Sequence, residues 1–560
     1  MNHSRWNLLP PAAETGLGDA LGVPPLVAQL LHNRGLSEPS QVEAFLAIDK
    51  SLVGDPFLLP DMHQAVARIY RALLSGEIIA IYGDFDVDGI TATALLVQGL
   101  SLLGGNVVPY IPHRINEGHG LKTSALENLR KEGTSLVISV DCGITGYKPV
   151  KKAQRMGLDV IVTDHHTPVA QIPPAVAVID PKLPGSEYPF IQLAGVGVAF
   201  KLLQALLQSM GKEKQLNAFL DLVALGTISD MMPLLGENRY LVKYGLKMLN
   251  TTPRLGIQEM MAQTGVERGS LDSQSVNWVL SPRLNAAGRL AHAMTSYHLL
   301  MTDSQQEACE LSLLLEQTNI ERQKLTADAL AKAKEQILAK GITTLLVVCG
   351  DEYPAGISGL VAGRLCDEFY RPAIVVKVDS KVSTASCRSI PDFNIIAALN
   401  QYSDLMLQFG GHPQAAGFTL PTKYLPRLLD GVSELADVQL EGFDLRRRVD
   451  IDAEIILAQL TGSTYRSIQQ LAPFGYGNPM PTFLSRSVEV LDCQAMGNNG
   501  DHLRLRLRQG STVWNCVAFR QGDCLPEVSP FLDIVYNLEA DRWRGEDRLR
   551  LNILDFAPAV

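Results

Sequence analysis

Three aspartates stand at alternate positions in Ile78–Gly89 (IIAIYGDFDVDG): Asp84, Asp86 and Asp88. Carboxylates this close repel one another strongly unless cations sit between them. Alone, the stretch leaves two readings open, a solvated acidic turn or one wall of a metal site. Further candidates follow. Asp141 comes after the apolar run Leu136–Val140, and Asp164, His165 and His166 come after Leu158–Val162 and Thr163. Asp180 follows Val176–Ile179, and Asp230 closes LVALGTISD. These donors outnumber what one cation needs. Two cations bridged by a carboxylate fit better, and mostly oxygen ligands plus an imidazole suit Mn²⁺, with Mg²⁺ as a substitute. Such a pair clamps a phosphodiester and acidifies a bound water for in-line attack. A second histidine would stabilise charge on the phosphoryl oxygens. The chemistry implied is phosphoester or phosphoanhydride hydrolysis.

The elements that must position these groups are legible. From about residue 55 to 265, apolar strands alternate with amphipathic helices, which predicts an α/β fold with a doubly wound parallel sheet. The ionisable residues fall just past the C-terminal ends of the strands. In open α/β sheets that edge binds ligands, so the set converges in space, and the metal-site reading gains over the acidic turn. Ser281–Leu290 (SPRLNAAGRL) reads as a small-residue loop flanked by Arg283 and Arg289, suited to phosphate or merely solvated. Residues 304–340 lack Pro and Gly and are followed by Gly341, which predicts one long helix acting as a strut. A second, smaller α/β unit begins at Thr343. In it Ser386 and Arg388 share a strand face, and Gly410-Gly411-His412 reads as a tight loop, both compatible with phosphate or with ordinary structure.

The last 110 or so residues read as short alternating strands, a β-barrel of OB-like size. In His502–Arg508 (HLRLRLR) the leucines would face the core and Arg504, Arg506 and Arg508 the other side, as a single-strand platform or a solvated face. Arg542, Trp543, Arg544, Arg548 and Arg550 add positive charge and one aromatic.

A chain of 560 residues implies three or four domains. Its eight cysteines are scattered with no CxxC pair, which points to a reducing cytoplasm and away from a disulfide framework or zinc knuckle. The N-terminus lacks the order of a signal peptide, and no apolar run is long enough to span a membrane. The net charge of −10 argues mildly against nucleic acid as a partner but leaves room for a local basic groove.

GDFDVDG, SVDCGI, TDHH, LVALGTISD, PRLNAAGRL and GGHPQAAGF occur in the order seen in the RecJ exonucleases of the DHH phosphoesterase superfamily. The resemblance spans about residues 55 to 420. It implies a helical N-terminal lead-in (1–50), a DHH catalytic domain (51–300), a long connecting helix (301–341), a DHH-associated domain (342–443) and an OB-like nucleic-acid-binding domain (444–560). It also implies 5′→3′ degradation of single-stranded DNA to 5′-mononucleotides, in DNA repair and recombination, by a cytoplasmic monomer working beside single-strand-binding protein and a helicase.

By motif, Asp86 would ligate a first metal and Asp88 a second, Asp141 would bridge them, and His165 and Asp230 would complete the ligand set of the second metal. The first metal would lean on Asp84 or on water. His166 would contact the scissile phosphate and Asp164 would orient its neighbours. Arg114, Arg283, Asn285, Arg289, Ser386, Arg388 and His412 would hold DNA phosphates. Two departures stand out. Tyr82 occupies a position where many DHH proteins have histidine, and Tyr353-Pro354-Ala355-Gly356 replaces Trp-His-x-Gly. A small-substrate DHH hydrolase and an inactive scaffold, like the RecJ-related subunit of the eukaryotic replicative helicase, are the competing readings. The barrel argues against the first and the intact acidic set against the second.

Overall fold

The computed structural model describes residues 4–12, 22–497, 500–541 and 548–559. The chain forms two compact units, one of Gly54–Met232 with Tyr244–Leu445, the other of Met1–Val53, Pro233–Lys243 and Arg446–Val560.

In the first unit, a five-stranded sheet runs in the order Asn106–Tyr110, Ile78–Tyr82, Thr134–Val140, Asp159–Thr163, Ala177–Ile179, with every pair parallel. Strand Ile78–Tyr82 is flanked by the next strand on one side and the one after it on the other, so the chain reverses its winding there. Such a reversal opens a crevice at the C-terminal ends of the strands. The register carries Tyr82 opposite Ser139 and Val140 opposite Thr163, so Asp84, Asp141 and Asp164 leave the sheet at the same edge. Helix Val87–Leu102 is buried along nearly its whole length, because helices Gly195–Ser209 and Leu220–Ser229 pack against it. Its largely apolar sequence suits a helix with no solvent face.

Helix Gln305–Lys340 is one uninterrupted element. The Ser304 hydroxyl caps its first turn and Gly341, at φ +88°, ends it. Beyond it lies a second five-stranded sheet, in the order Gln408–His412, Ala415–Pro421, Val382–Arg388, Ala373–Lys377, Leu346–Gly350. Only its last pair is parallel. Two local expectations are corrected here. Ser281–Leu290 is a helix rather than a loop, with Pro282 in its first turn, where a missing N–H costs nothing. Gly410 and Gly411 lie within strand Gln408–His412, and Pro413-Gln414 makes the hairpin turn.

The second unit is a closed barrel. Strands Phe483–Met496, His502–Gln509, Thr512–Ala518, Arg548–Pro558 and Phe531–Asp541 follow in order, and the last pairs back onto the first. The N-terminal stretch belongs to this unit. Strand Arg5–Leu8 pairs in parallel with Arg448–Ile451, and the indole N–H of Trp6 donates to Asp555 at 2.9 Å. Helices Pro25–Asn33 and Pro39–Ala47 share the barrel's apolar core. A third segment supplies Arg239, 1% exposed, which donates to the carbonyls of Phe45 (3.1 Å) and Leu471 (2.9 Å) and lies 3.8 Å over the Phe45 ring. Burial pushes this guanidinium down to about 9.

Arg239→Ala would strip two buried carbonyls of their donor and leave a cavity. We expect a loss of about 3 kcal/mol in the barrel unit, read by urea unfolding of the full chain. A change within about 0.5 kcal/mol would show that the side chain does not hold these segments together.

Candidate metal centre

Asp86 ends the loop after strand Ile78–Tyr82 and caps helix Val87–Leu102. Its Oδ1 accepts from the N–H groups of Asp88 (3.0 Å) and Gly89 (3.1 Å). Asp88 follows in the first turn. Its carboxylate accepts from Gly195 N–H (2.6 Å) and Val196 N–H (2.8 Å), donors at the start of helix Gly195–Ser209 that have no partner within the helix. The orphan N–H groups of one helix thus hold an acid on another. Gly195 must be glycine because a Cβ there would lie 2.5 Å from the Cβ of Asp141. Asp141 sits at φ +58°, a left-handed turn straight after its strand that aspartate tolerates better than most residues.

His165 occupies the middle of the acids. Its Nε2 lies 3.1 Å from Asp141, 3.6 Å from Asp230 and 3.8 Å from Asp88. Asp230 terminates helix Leu220–Ser229. Three sets of donor atoms each lie within 4.8 Å of one another: Asp84 with Asp86 and Asp141, Asp88 with His165 and Asp230, and Asp141 with His165 and His166.

Burial pushes Asp141 and Asp230 well above the usual carboxylate range and Asp88 to about 7, and repulsion from neighbouring aspartates adds to it. Asp86 is raised for the same reasons. Among the described residues, Oδ1 of Asp84, Oδ1 of Asp141 and Nε2 of His165 are buried without a hydrogen-bond partner. Burying such atoms unpaired is costly. Burial and the neighbouring His166 push His165 down to about 3, so its imidazole is neutral, the form that binds metal. Oxygen-rich donors with one neutral imidazole and no thiolate fit divalent cations of the Mn²⁺ or Mg²⁺ kind.

Asp164 has a different environment. Its Oδ2 accepts from Ile144 N–H (2.9 Å), and its Oδ1 accepts from the N–H groups of His165 (2.7 Å) and His166 (3.1 Å) and from His166 Nδ1 (2.7 Å). Burial would raise this acid, but the hydrogen bond and charge of His166 outweigh it and hold Asp164 at about 2. Burial works against the charge on His166 as well, yet the Asp164 partner lifts it to about 9. His166 is therefore an imidazolium at neutral pH, and His412 stacks near it at 6.3 Å between ring centroids.

The basic residues divide. Arg114 lies 4.8 Å over the Phe85 ring. Arg289 is pushed down to about 9 by burial and then by Arg114, Arg322 and Arg388, so these cations crowd one another as an anion site requires. Ser386 and Arg388 share the half-buried face of strand Val382–Arg388. Arg283 does not fit the phosphate reading, whereas Asn285 uses only its oxygen within the fold. The Arg283 fork is engaged by Glu316 of the long helix and by the carbonyl of Val279. Asn285 Oδ1 accepts from Val87 N–H at 3.3 Å, and a Cβ on Gly288 would lie 2.4 Å from the carbonyl oxygen of Phe85. The small residues of PRLNAAGRL let this helix press on the acidic loop, not on a ligand.

On the barrel, Arg508 pairs with both oxygens of Glu489 (2.7 Å each) and Arg504 donates to Gln494 at 2.8 Å. Arg506 faces Asp492 and Asn515 across the ladder. The arginine face is therefore partly neutralised by its neighbours. Arg542, Trp543 and Arg544 lie outside the described residues.

Sequence reasoning missed Gly195 and Val196, whose contribution is backbone N–H. The signal was a glycine opening a helix that has no capping side chain. It also missed Lys182, whose ammonium donates to the carbonyl of His165. Both departures are structural here. Tyr82 is fully buried with its hydroxyl on the carbonyl of Gly120, and Pro354 caps helix Ala355–Phe369 with Tyr353 buried before it.

Family models match in chain order: DHH family, N-terminal domain, at residues 78–227; DHHA1 domain at 341–437; RecJ OB domain at 451–555. The chain is 37% identical to the single-stranded-DNA-specific exonuclease RecJ of Bacillus subtilis, over 99% of this chain and 71% of that protein. It is 33% identical to the protein of the same name from Thermus thermophilus, over 98% and 78%. The crystal structure of Thermus thermophilus RecJ in complex with Mn²⁺ superposes with a TM-score of 0.85 at 31% identity, covering 99% of this chain and 80% of that one. A structure of exonuclease RecJ bound to manganese gives 0.59 at 34% identity, over 69% and 98%. With the acidic cluster, the sheet that carries it and the barrel all matched in order, the chain belongs to the RecJ family of DHH proteins.

Proposed function

We propose that this chain is a metal-dependent, single-stranded-DNA-specific exonuclease that works 5′→3′ and releases 5′-mononucleotides. The observation that carries the reading is the convergence of buried, partnerless donor atoms from Asp84, Asp141 and His165 at one sheet edge. Relatives named single-stranded-DNA-specific exonucleases match nearly the whole chain, and solved relatives hold Mn²⁺ or Mg²⁺. The barrel favours a polymeric substrate over a dinucleotide.

In this reading Asp84, Asp86 and Asp141 would hold one cation, and Asp88, His165 and Asp230, with Asp141, would hold the other, Mn²⁺ in preference to Mg²⁺. When bound, the pair supplies Lewis-acid charge and an acidified water. The chain's own residues do the rest. Asp164 accepts from Nδ1–H of His166 and fixes the orientation of the imidazolium, so the proton on its outer nitrogen is offered to a phosphoryl oxygen, where negative charge grows. Arg114, Arg289, Arg388 and Ser386, with His412 nearby, bind the phosphates at the 5′ end. Arg506, which has no hydrogen-bond or ion-pair partner among the described residues, is the barrel strand's best phosphate contact. The eight free cysteines suit a reducing cytoplasm. Because the substrate is single-stranded, a helicase and a single-strand-binding protein are the partners expected beside it in repair and recombination.

With Mn²⁺, an end-labelled duplex carrying a 5′ overhang should be degraded along the overhang, and a 3′ overhang or blunt end spared. Equal loss from both overhangs rules out the polarity. Asp141→Asn should reduce turnover by about a thousandfold or more. The same change removes buried repulsion, so the metal-free melting temperature should rise by roughly 2–4 °C while the rise induced by Mn²⁺ disappears. An unaltered Mn²⁺ shift would exclude Asp141 as the shared ligand. Gly288→Ala should push the Phe85 carbonyl outward and lower kcat by about 10²-fold with binding of single-stranded DNA little changed. Wild-type kcat would mean the helix does not set the loop.

A further inference from the structure

The acidic loop has a neighbour that none of the motifs names. Asp84 is buried, and its Oδ2 lies 3.2 Å from Nδ1 of His119 while its Oδ1 has no partner among the described residues. An ionised carboxylate only accepts, so Nδ1 of His119 carries the proton. The contact uses one oxygen of Asp84 and leaves the other as the donor contributed to the set with Asp86 and Asp141. The His119 ring also rests against Phe85, with centroids 4.2 Å apart, on the ring that Arg114 covers.

His119 reaches the site from a fixed loop. Gly118 and Gly120 on either side sit at φ +72° and +77°, which disfavours any side chain at both positions. The Tyr82 hydroxyl donates to the carbonyl of Gly120 at 3.2 Å. Glu117 accepts from the Tyr110 hydroxyl (2.6 Å) and from His113 N–H (2.7 Å). The His119 side chain is 64% exposed, so its pairing with Asp84 adds little to folding. Its effect falls instead on which way Asp84 turns.

We propose that His119 is a positioning residue for the metal site built on Asp84, Asp86 and Asp141. Its Nδ1–H clamps Oδ2 of Asp84 so that Oδ1 is presented to the cation, and the Tyr82 hydroxyl holds the loop that brings His119 there. A second-layer contact of this kind orients a ligand and tunes its affinity. The inference rests on the two-cation reading above.

The test is a titration of the metal-free, full-length protein with Mn²⁺, followed by calorimetry and by electron paramagnetic resonance of free Mn²⁺. The wild-type chain should take up two ions. His119→Ala should weaken one of them by about 10–100-fold and leave the other unchanged. His119→Asn, whose amide nitrogen overlays Nδ1, should restore the affinity to within roughly threefold. Tyr82→Phe should weaken the same site by a smaller factor without lowering the melting temperature. Two unchanged affinities in His119→Ala would overturn the proposal, as would an asparagine variant as weak as alanine, or both sites weakening together. A wild-type chain binding fewer than two Mn²⁺ would overturn the two-cation reading itself, and this inference with it.

Discussion

Mutual repulsion among buried carboxylates is the constraint on which the catalytic unit depends. Asp84, Asp86, Asp88, Asp141 and Asp230 are brought together where the sheet reverses its winding, and burial raises the cost of charging all of them at once. The fold answers this unevenly. Asp86 and Asp88 each receive two backbone N–H groups, so part of their charge is met by helix termini. Asp141 has a partnerless buried oxygen and lies between the two donor sets, where an external positive charge is needed most. The protein keeps this arrangement because the same unmet charge creates affinity for cations.

The two adjacent histidines show how environment separates identical side chains. His165 points into the acids, is fully desolvated and stays neutral, as a ligand must. His166 points outward, is tied through Nδ1 to an aspartate that has already filled its lone pairs, and stays charged. Asp164 accepts four hydrogen bonds and has little capacity left for a cation. One short motif therefore supplies a neutral imidazole, a charged one and the acid that distinguishes them.

Close approach of backbones carries the rest of the positioning. Gly195 lets a helix start against Asp141 while its N–H holds Asp88, and Gly288 lets another helix lie against the Phe85 carbonyl. Arg283 anchors that second helix to the long connecting helix through Glu316. The barrel unit is built on a different principle. Three distant chain segments are drawn together by a parallel strand pair, an apolar core and a buried arginine that serves two carbonyls.

The sequence by itself determined the parallel sheet, the edge at which its acids converge, the long helix and the barrel. Each is written in local periodicity: apolar runs ending in aspartate, a Pro- and Gly-free helical stretch, and leucines alternating with arginines. Motif order also named Asp86, Asp88, Asp141, His165 and Asp230 as one set, and the folded chain brings them together. What only the tertiary structure decided is the partner of each side chain. Arg283 looked free until Glu316 met it, and the oxygen of Asn285 is held by the N–H of Val87. Arg508 looked free until Glu489 paired with it across the ladder. His119 lies 35 residues from Asp84 in the chain and carried no signal before the loop closed. Periodicity reports which face of an element is buried. It cannot report which distant group fills a hydrogen bond, because that depends on contacts made only when the elements pack.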